Sequence, residues 1–241
     1  MSWILAVDTS LQGVSMALTP LTGEHKGSLK SYEYFFELSH SAQELPVIFD
    51  RACEALKIDL KDIKAISLTI GPGTFTGLRI GFSYVLGLAK GLDGICPEET
   101  LWRGYSSLKI LARKYSDESK RTIVYLPSTR TTGYFAFYDP QNHSDIEASL
   151  DLTKKDQRDT VIGLKPEKCF LIGSWDHLIS SDLGVSALSV DHVLCNRQIL
   201  EFMCADSVNQ WPSGFSASIP TLNYLKKSSV EEAEDSRASY V

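Results

Sequence analysis

The sequence predicts a two-lobed α/β protein, and three observations carry that reading. The first 37 residues hold three short apolar or alternating runs separated by polar, glycine-bearing turns. A helical periodicity, a strand apolar on both faces and a second helical periodicity then run to about residue 90. After Gly91 the pattern restarts with a shorter helix and further strands. A chain of 241 residues with 43% hydrophobic content is long enough for a packed core of that kind.

Trp3 to Val7 is a short apolar run that ends at Asp8-Thr9-Ser10, and Val14 to Thr19 alternates after Gly13, so two strands joined by a polar turn are expected. Tyr32 to Glu37 supplies a third, aromatic strand after the loop Thr22–Gly27, which completes an antiparallel meander. Ser41 with Glu44 forms a capping-box pattern, and Leu45, Ile48, Phe49, Ala52 and Leu56 recur at helical spacing up to Lys57. Pro46 falls just past the first turn, where a missing N–H costs less than in mid-helix. Ala65 to Ile70, apolar on both faces, predicts a central strand, and a second helix runs from Phe75 to about Lys90. The second lobe is expected to hold a helix over Ser106–Tyr115 and strands over Thr122–Leu126, Tyr134–Tyr138 and Cys169–Ile172. From Ser228 to Ser239 there are four acidic residues and almost nothing apolar, which predicts a disordered acidic tail.

Composition excludes several function classes. A net charge of −6 is a poor match for a surface that grips nucleic-acid phosphates unaided. The longest apolar stretch, Ile80 to Ala89, is about half of the roughly 20 residues a membrane span needs, and a cytoplasmic location is expected. The five cysteines are an odd set with no C-x-x-C pair, so they predict buried thiols rather than disulfides or a zinc site.

The segment Gly71-Pro72-Gly73-Thr74-Phe75-Thr76-Gly77-Leu78-Arg79-Ile80-Gly81 carries the most information. A strand, a glycine-rich turn and a helix can aim backbone N–H groups and a helix dipole at an anion, with Gly71, Gly73 and Thr74 as contacts. Yet Thr76 stands where G-x-G-x-x-G wants glycine, and no Lys-Ser or Lys-Thr pair follows for a P-loop. In the helix, Gly77, Gly81, Tyr84 and Leu88 form one stripe and Leu78, Phe82, Val85 and Ala89 a neighbouring one, so it is buried on more than one side. The two glycines four apart admit another backbone, belonging either to this chain or to a second subunit.

Ile4 to Ser10, His40 to Ile48 and Gly71 to Gly81 together resemble the TsaB family of bacterial tRNA threonylcarbamoyladenosine biosynthesis proteins. The resemblance covers the first hundred or so residues well and the rest patchily. It implies an actin-like (ASKHA, ribonuclease H-like) α/β fold with mixed sheets flanked by helices. The implied layout is an N-terminal lobe over 1–101 with the dimerisation helices, a smaller divergent lobe over 102–227 and the tail over 228–241.

The implied role is a non-catalytic scaffold that binds and activates TsaD, joined by TsaE, for threonylcarbamoyl transfer to N6 of adenosine 37 in tRNAs reading ANN codons. It forms a homodimer when alone and touches tRNA only through the complex. ATP/ADP and metal are expected in the partner subunits, with no cofactor of its own. The implied partner interface comprises Leu45, Ile48, Phe49, Ala52, Phe75, Thr76, Gly77, Leu78, Gly81, Tyr84 and Leu88, so that Gly81→Arg should weaken pairing.

The catalytic paralogue holds its metal through H-x-x-x-H at the start of the second lobe, where this chain has Ser107 and Leu111; no two of its histidines lie three or four apart. His40, at the entry of the first helix, reads as a capping or packing residue. A strand that in relatives carries Asp-Ala-Arg and a following Glu reads here Ser128-Thr129-Arg130, keeping the arginine. Pro220 to Lys226 is similar to the family's closing Pro-x-Tyr-Leu-Arg, with two extra residues and lysine for arginine. The rival function is a small ASKHA-type ATP-dependent phosphotransferase or ATPase. It would use Asp8, with Thr9 and Ser10, at the strand end where such enzymes bring a carboxylate to metal-bound phosphates; Ile172-Gly173-Ser174 is a weak candidate for an adenosine loop.

Overall fold

The computed structural model of the chain describes residues 2–22, 31–35, 41–94, 99–116, 119–173 and 187–223. The expectations for His40, for Ser174, for Tyr224–Lys226 and for the tail from Ser228 lie outside the described residues, as do Phe36 and Glu37 at the end of the third strand.

The chain opens with the expected meander. Strands β1 (Trp3–Asp8), β2 (Val14–Pro20) and β3 (Ser31–Phe35) pair antiparallel in sequence order. Helix α1 (Ser41–Leu56) and a 3-10 turn at Leu60–Asp62 lead into β4 (Ile63–Gly71), and α2 (Phe75–Asp93) leads into β5 (Leu101–Ser106). The first sheet has the order β3-β2-β1-β4-β5, with β4 parallel to β1 and β5 parallel to β4. Both central strands read as apolar runs because both faces are covered: β1 is buried at every position and β4 at all but two.

After α3 (Ser107–Tyr115) come β6 (Thr122–Pro127), β7 (Thr132–Asp139), β8 (Ser144–Asp151), α4 (Lys155–Gly163), β9 (Lys168–Ile172), β10 (Ala187–Val190) and α5 (His192–Asn209). The second sheet has the order β8-β7-β6-β9-β10, with β6, β7 and β8 antiparallel and β9 and β10 parallel to β6. That is the topology of the first sheet again: an antiparallel meander followed by two parallel strands on its opposite side. Gly71 (φ +111°) and Gly173 (φ +97°) occupy the same place in each copy, at the end of the fourth strand.

The layers follow from the cores. Helices α1 and α2 cover one face of the first sheet through Leu5, Val7, Leu45, Phe49, Ile66 and Val85. Between the sheets lie α3 and α5, with Leu108, Leu111, Ile199, Leu200 and Met203 packed on Ala6, Ala17, Val124 and Ala136. Val161 of α4 joins Ile123, Phe135 and Leu171 on the outer face of the second sheet. Among the described residues, no helix is long and apolar enough to cross a membrane.

Two differences from the sequence reading affect the lobe boundary. Strand β5 pairs with β4 from Leu101 to Ser106, so the first sheet runs past residue 101. Helix α5, late in the chain, returns to pack on β1 and β2 of that sheet. The first lobe is therefore built from both ends of the sequence.

Candidate functional site

The turn after β1 is where the two halves of the glycine motif meet. Asp8, Thr9 and Ser10 are 1%, 3% and 0% exposed. The Asp8 Oδ1 accepts from Ser10 N–H (3.0 Å), Ser10 Oγ (2.7 Å) and Thr69 Oγ1 of β4 (2.8 Å), which ties the end of β1 to the adjacent strand. The Asp8 Oδ2 is buried with no partner among the described residues. Burial pushes the carboxyl above the ordinary carboxylate range, opposed by the hydrogen bonds from Ser10 and Thr69.

The loop Gly71–Thr74 rests directly on this turn. Thr74 N–H donates to Ser10 O at 2.8 Å, so the Thr74 amide of the expected anion cradle is used within the chain. A Cβ at Gly73 would overlap the Ser10 carbonyl, one at Gly77 the Thr9 carbonyl, and one at Gly81 the Thr9 hydroxyl. The motif glycines are thus needed because α2 lies backbone-close on the turn of its own chain. The structure brings Asp8, Thr9, Ser10, Gly71, Gly73 and Thr74 together, and their shared geometry is that of a tight internal joint.

The expected partner interface needs correction. Leu45, Ile48, Phe49, Ala52 and Leu78 are at most 3% exposed, and Gly77 and Gly81 are buried as well. The apolar stripes that made the two helices conspicuous are the ones they turn to their own sheet, so these seven residues offer nothing to a partner. Gly81→Arg would drive a guanidinium into Thr9 and break the fold rather than report on pairing. Tyr84 and Leu88 are half-buried against the same core, with Tyr84 edge-on to Phe49 at 6.5 Å. Of the named set, Phe75 (37% exposed) and Thr76 lie open.

Accessible instead is the opposite face of α2. Thr76, Arg79, Ser83, Gly87, Lys90 and Gly91 are exposed there, with Ile80 and Leu86 half-exposed beside them. A Cβ added at Gly87 or Gly91 meets nothing within 4 Å. The Arg79 guanidinium lies over the Phe75 ring, 4.2 Å from its centroid, in a cation–π contact. Val47, 40% exposed on α1, adds a further apolar position. The signal was present in the sequence: Ser83, Gly87 and Gly91 recur every four residues, and Ser83 stands two positions after Gly81, a turn of about 200° around the helix.

At the two positions the resemblance sets against a histidine pair, Ser107 donates its hydroxyl to Pro72 O at 2.7 Å and Leu111 is fully buried. This helix thus holds the glycine loop through the first of those two positions.

The duplicated meander-plus-two sheets, with helices between and outside them, define a two-lobed actin-like α/β protein. The family profile described as TsaD: tRNA N6-adenosine threonylcarbamoyltransferase matches residues 38–159, just over half of the chain, and the chain belongs to that family. Its sequence is similar to the tRNA threonylcarbamoyladenosine biosynthesis protein TsaB of Escherichia coli (strain K12), 31% identical over 117 residues, 45% of this chain and 48% of the relative. It is also similar to TsaB of Haemophilus influenzae, 32% identical over 37% of this chain and 36% of that one. The chain thus matches about half or less of these curated relatives' length. The structure of YeaZ from Pseudomonas aeruginosa superposes with a TM-score of 0.65 at 23% identity, covering 93% of this chain and all of that one, which supports the fold. The resemblance to TsaB proteins read from the motifs agrees with these matches.

Proposed function

We propose that this chain is a non-catalytic subunit of the machinery that makes threonylcarbamoyladenosine in tRNA, docking the outer face of α2 and the exposed edge of α1 on a TsaD-type catalytic subunit. The observation that carries the reading is that face: an open row of Ser83, Gly87 and Gly91, flanked by Phe75, Ile80 and Leu86, on a helix whose other side is already buried. Small residues let a second helix approach closely, and the flanking apolar side chains then gain burial. In this reading the same face pairs two copies when the partner is absent. A TsaE-type ATPase joins the complex, ATP/ADP and metal reside in the partner subunits, and tRNA is reached only through the assembly, in keeping with a net charge of −6. The complex works in the cytoplasm.

Light scattering of the purified chain with its TsaD-type partner tests this. A heterodimer mass at micromolar concentration is expected, and two separate masses would overturn the reading.

One observation favours the rival phosphotransferase: the buried Asp8 Oδ2, which has no partner among the described residues. Against it, Asp8 is 1% exposed, and its Oδ1 already takes three hydrogen bonds from the chain itself. Calorimetry with ATP and magnesium separates the two readings: the isolated chain should give no heat of binding beyond dilution, whereas saturable binding lost in Asp8→Asn would favour the enzyme.

A further inference from the structure

The residues after α5 form a strap along the β5 edge of the first sheet that reaches the second sheet at Asn223. Ser216 makes a two-way antiparallel bridge with Trp102 on the free edge of β5 (2.7 and 3.0 Å), and Arg103 donates to Gly214 O at 2.7 Å. Pro220 then lies over Gly104, where a Cβ would come within 3.0 Å of the proline ring. Further along the strap, Asn223 N–H donates to Ile70 O at 2.7 Å, and its carbonyl lies where a Cβ on Gly71 would come within 2.8 Å. The Asn223 side chain reaches the other lobe, donating from Nδ2 to Glu147 Oε2 of β8 at 3.0 Å. The second carboxylate oxygen of Glu147 accepts from the Ser106 hydroxyl, which also caps α3 at Lys109 N–H. Next to it, Ser107 holds Pro72 O.

Asn223 and Glu147 therefore close a circuit. It runs from the second sheet through the α3 N-terminus to the Gly71–Thr74 loop and back along the strap. We propose that the segment Ser216–Asn223 is an interlobe latch: with Asn223 seated between Ile70 and Glu147, the loop that starts α2 is held in place, and release of Asn223 loosens that loop. Its consequence for partner binding rests on the reading of α2 given above, but the latch itself belongs to the isolated chain and is measured there.

The test is hydrogen–deuterium exchange of the full chain and of Asn223→Ala, Glu147→Ala and Glu147→Gln, with the melting temperature recorded for each. A hydrogen bond to a carboxylate is strong enough that its loss should speed exchange of the Gly73–Leu78 amides by about tenfold in both alanine variants. The double alanine variant should add little to either single one. Glu147→Gln should stay near the wild-type rate, because a turned Asn223 amide can accept from the glutamine. Unchanged exchange over Gly73–Leu78 in the alanine variants would overturn the proposal, leaving the strap a cover for an edge strand. So would a rise spread evenly over both sheets, which would mark general destabilisation.

Discussion

Asp8 holds the end of β1 with one oxygen and leaves the other buried without a partner among the described residues, and that asymmetry has a pH signature. A carboxyl whose folded-state pKa is raised binds its proton more tightly folded than unfolded. Its contribution to stability is complete below about pH 4 and is lost as pH rises through the folded value. Asn at this position keeps the acceptor for Ser10 and Thr69 and carries no charge. The unfolding free energy of Asp8→Asn relative to wild type should therefore improve as pH goes from about 4 to 7, and a difference independent of pH would contradict the buried-carboxyl account.

The glycines give a sharper contrast. Gly73→Ala places a methyl on the Ser10 carbonyl and should cost about 2 kcal/mol or more in denaturant unfolding. Gly87→Ala meets open space on an exposed helix face and should stabilise by about 1 kcal/mol. The sequence alone told that Gly77 and Gly81 admit a close neighbour; it could not tell that the neighbour is Thr9 of the same chain, because helical spacing defines a stripe and not what lies against it.

At the scale of elements, α1, α2 and the meander were legible because each alternates or repeats with one dominant period. The elements that escaped notice share a different cause. In α5 the buried residues Cys195, Ile199, Leu200, Met203, Cys204 and Val208 do follow helical spacing, but Val193 and Leu194 are apolar on the exposed side and blur the stripe. β5 shows no sustained apolar or alternating run because Arg103 and Gly104 interrupt it; its arginine is satisfied by Asp206 of α5 at 2.8 Å, a partner 103 residues away in sequence. Asp206 also accepts from Tyr105 at 2.9 Å, and Ser207 bonds Ser67 at 2.7 Å, so α5 is fastened to β4 and β5 by polar groups. Asp206→Ala leaves Arg103 and Tyr105 without that acceptor and should lower stability by about 2 kcal/mol, read as an earlier denaturation midpoint.

For the whole molecule, the second sheet repeats the order of the first although its strands look unlike those of the first. β8 carries Asp145 and Glu147 because it is an edge strand, with Glu147 reaching Asn223 across the lobes. A repeat preserved in topology but not in residue pattern is invisible to periodicity, which is why the second lobe could be foreseen only as less regular. The architecture buries the motif side of α2 in the first lobe and leaves Ser83, Gly87 and Gly91 outward. The proposed function turns on that division. It is tested most directly by titrating a TsaD-type partner with the wild-type chain and with Gly87→Arg, whose long side chain fits in solvent but not under a second helix. A variant with wild-type melting behaviour and affinity reduced by roughly tenfold or more is the predicted result; equal affinity for the two proteins would place the partner on another face and contradict the account.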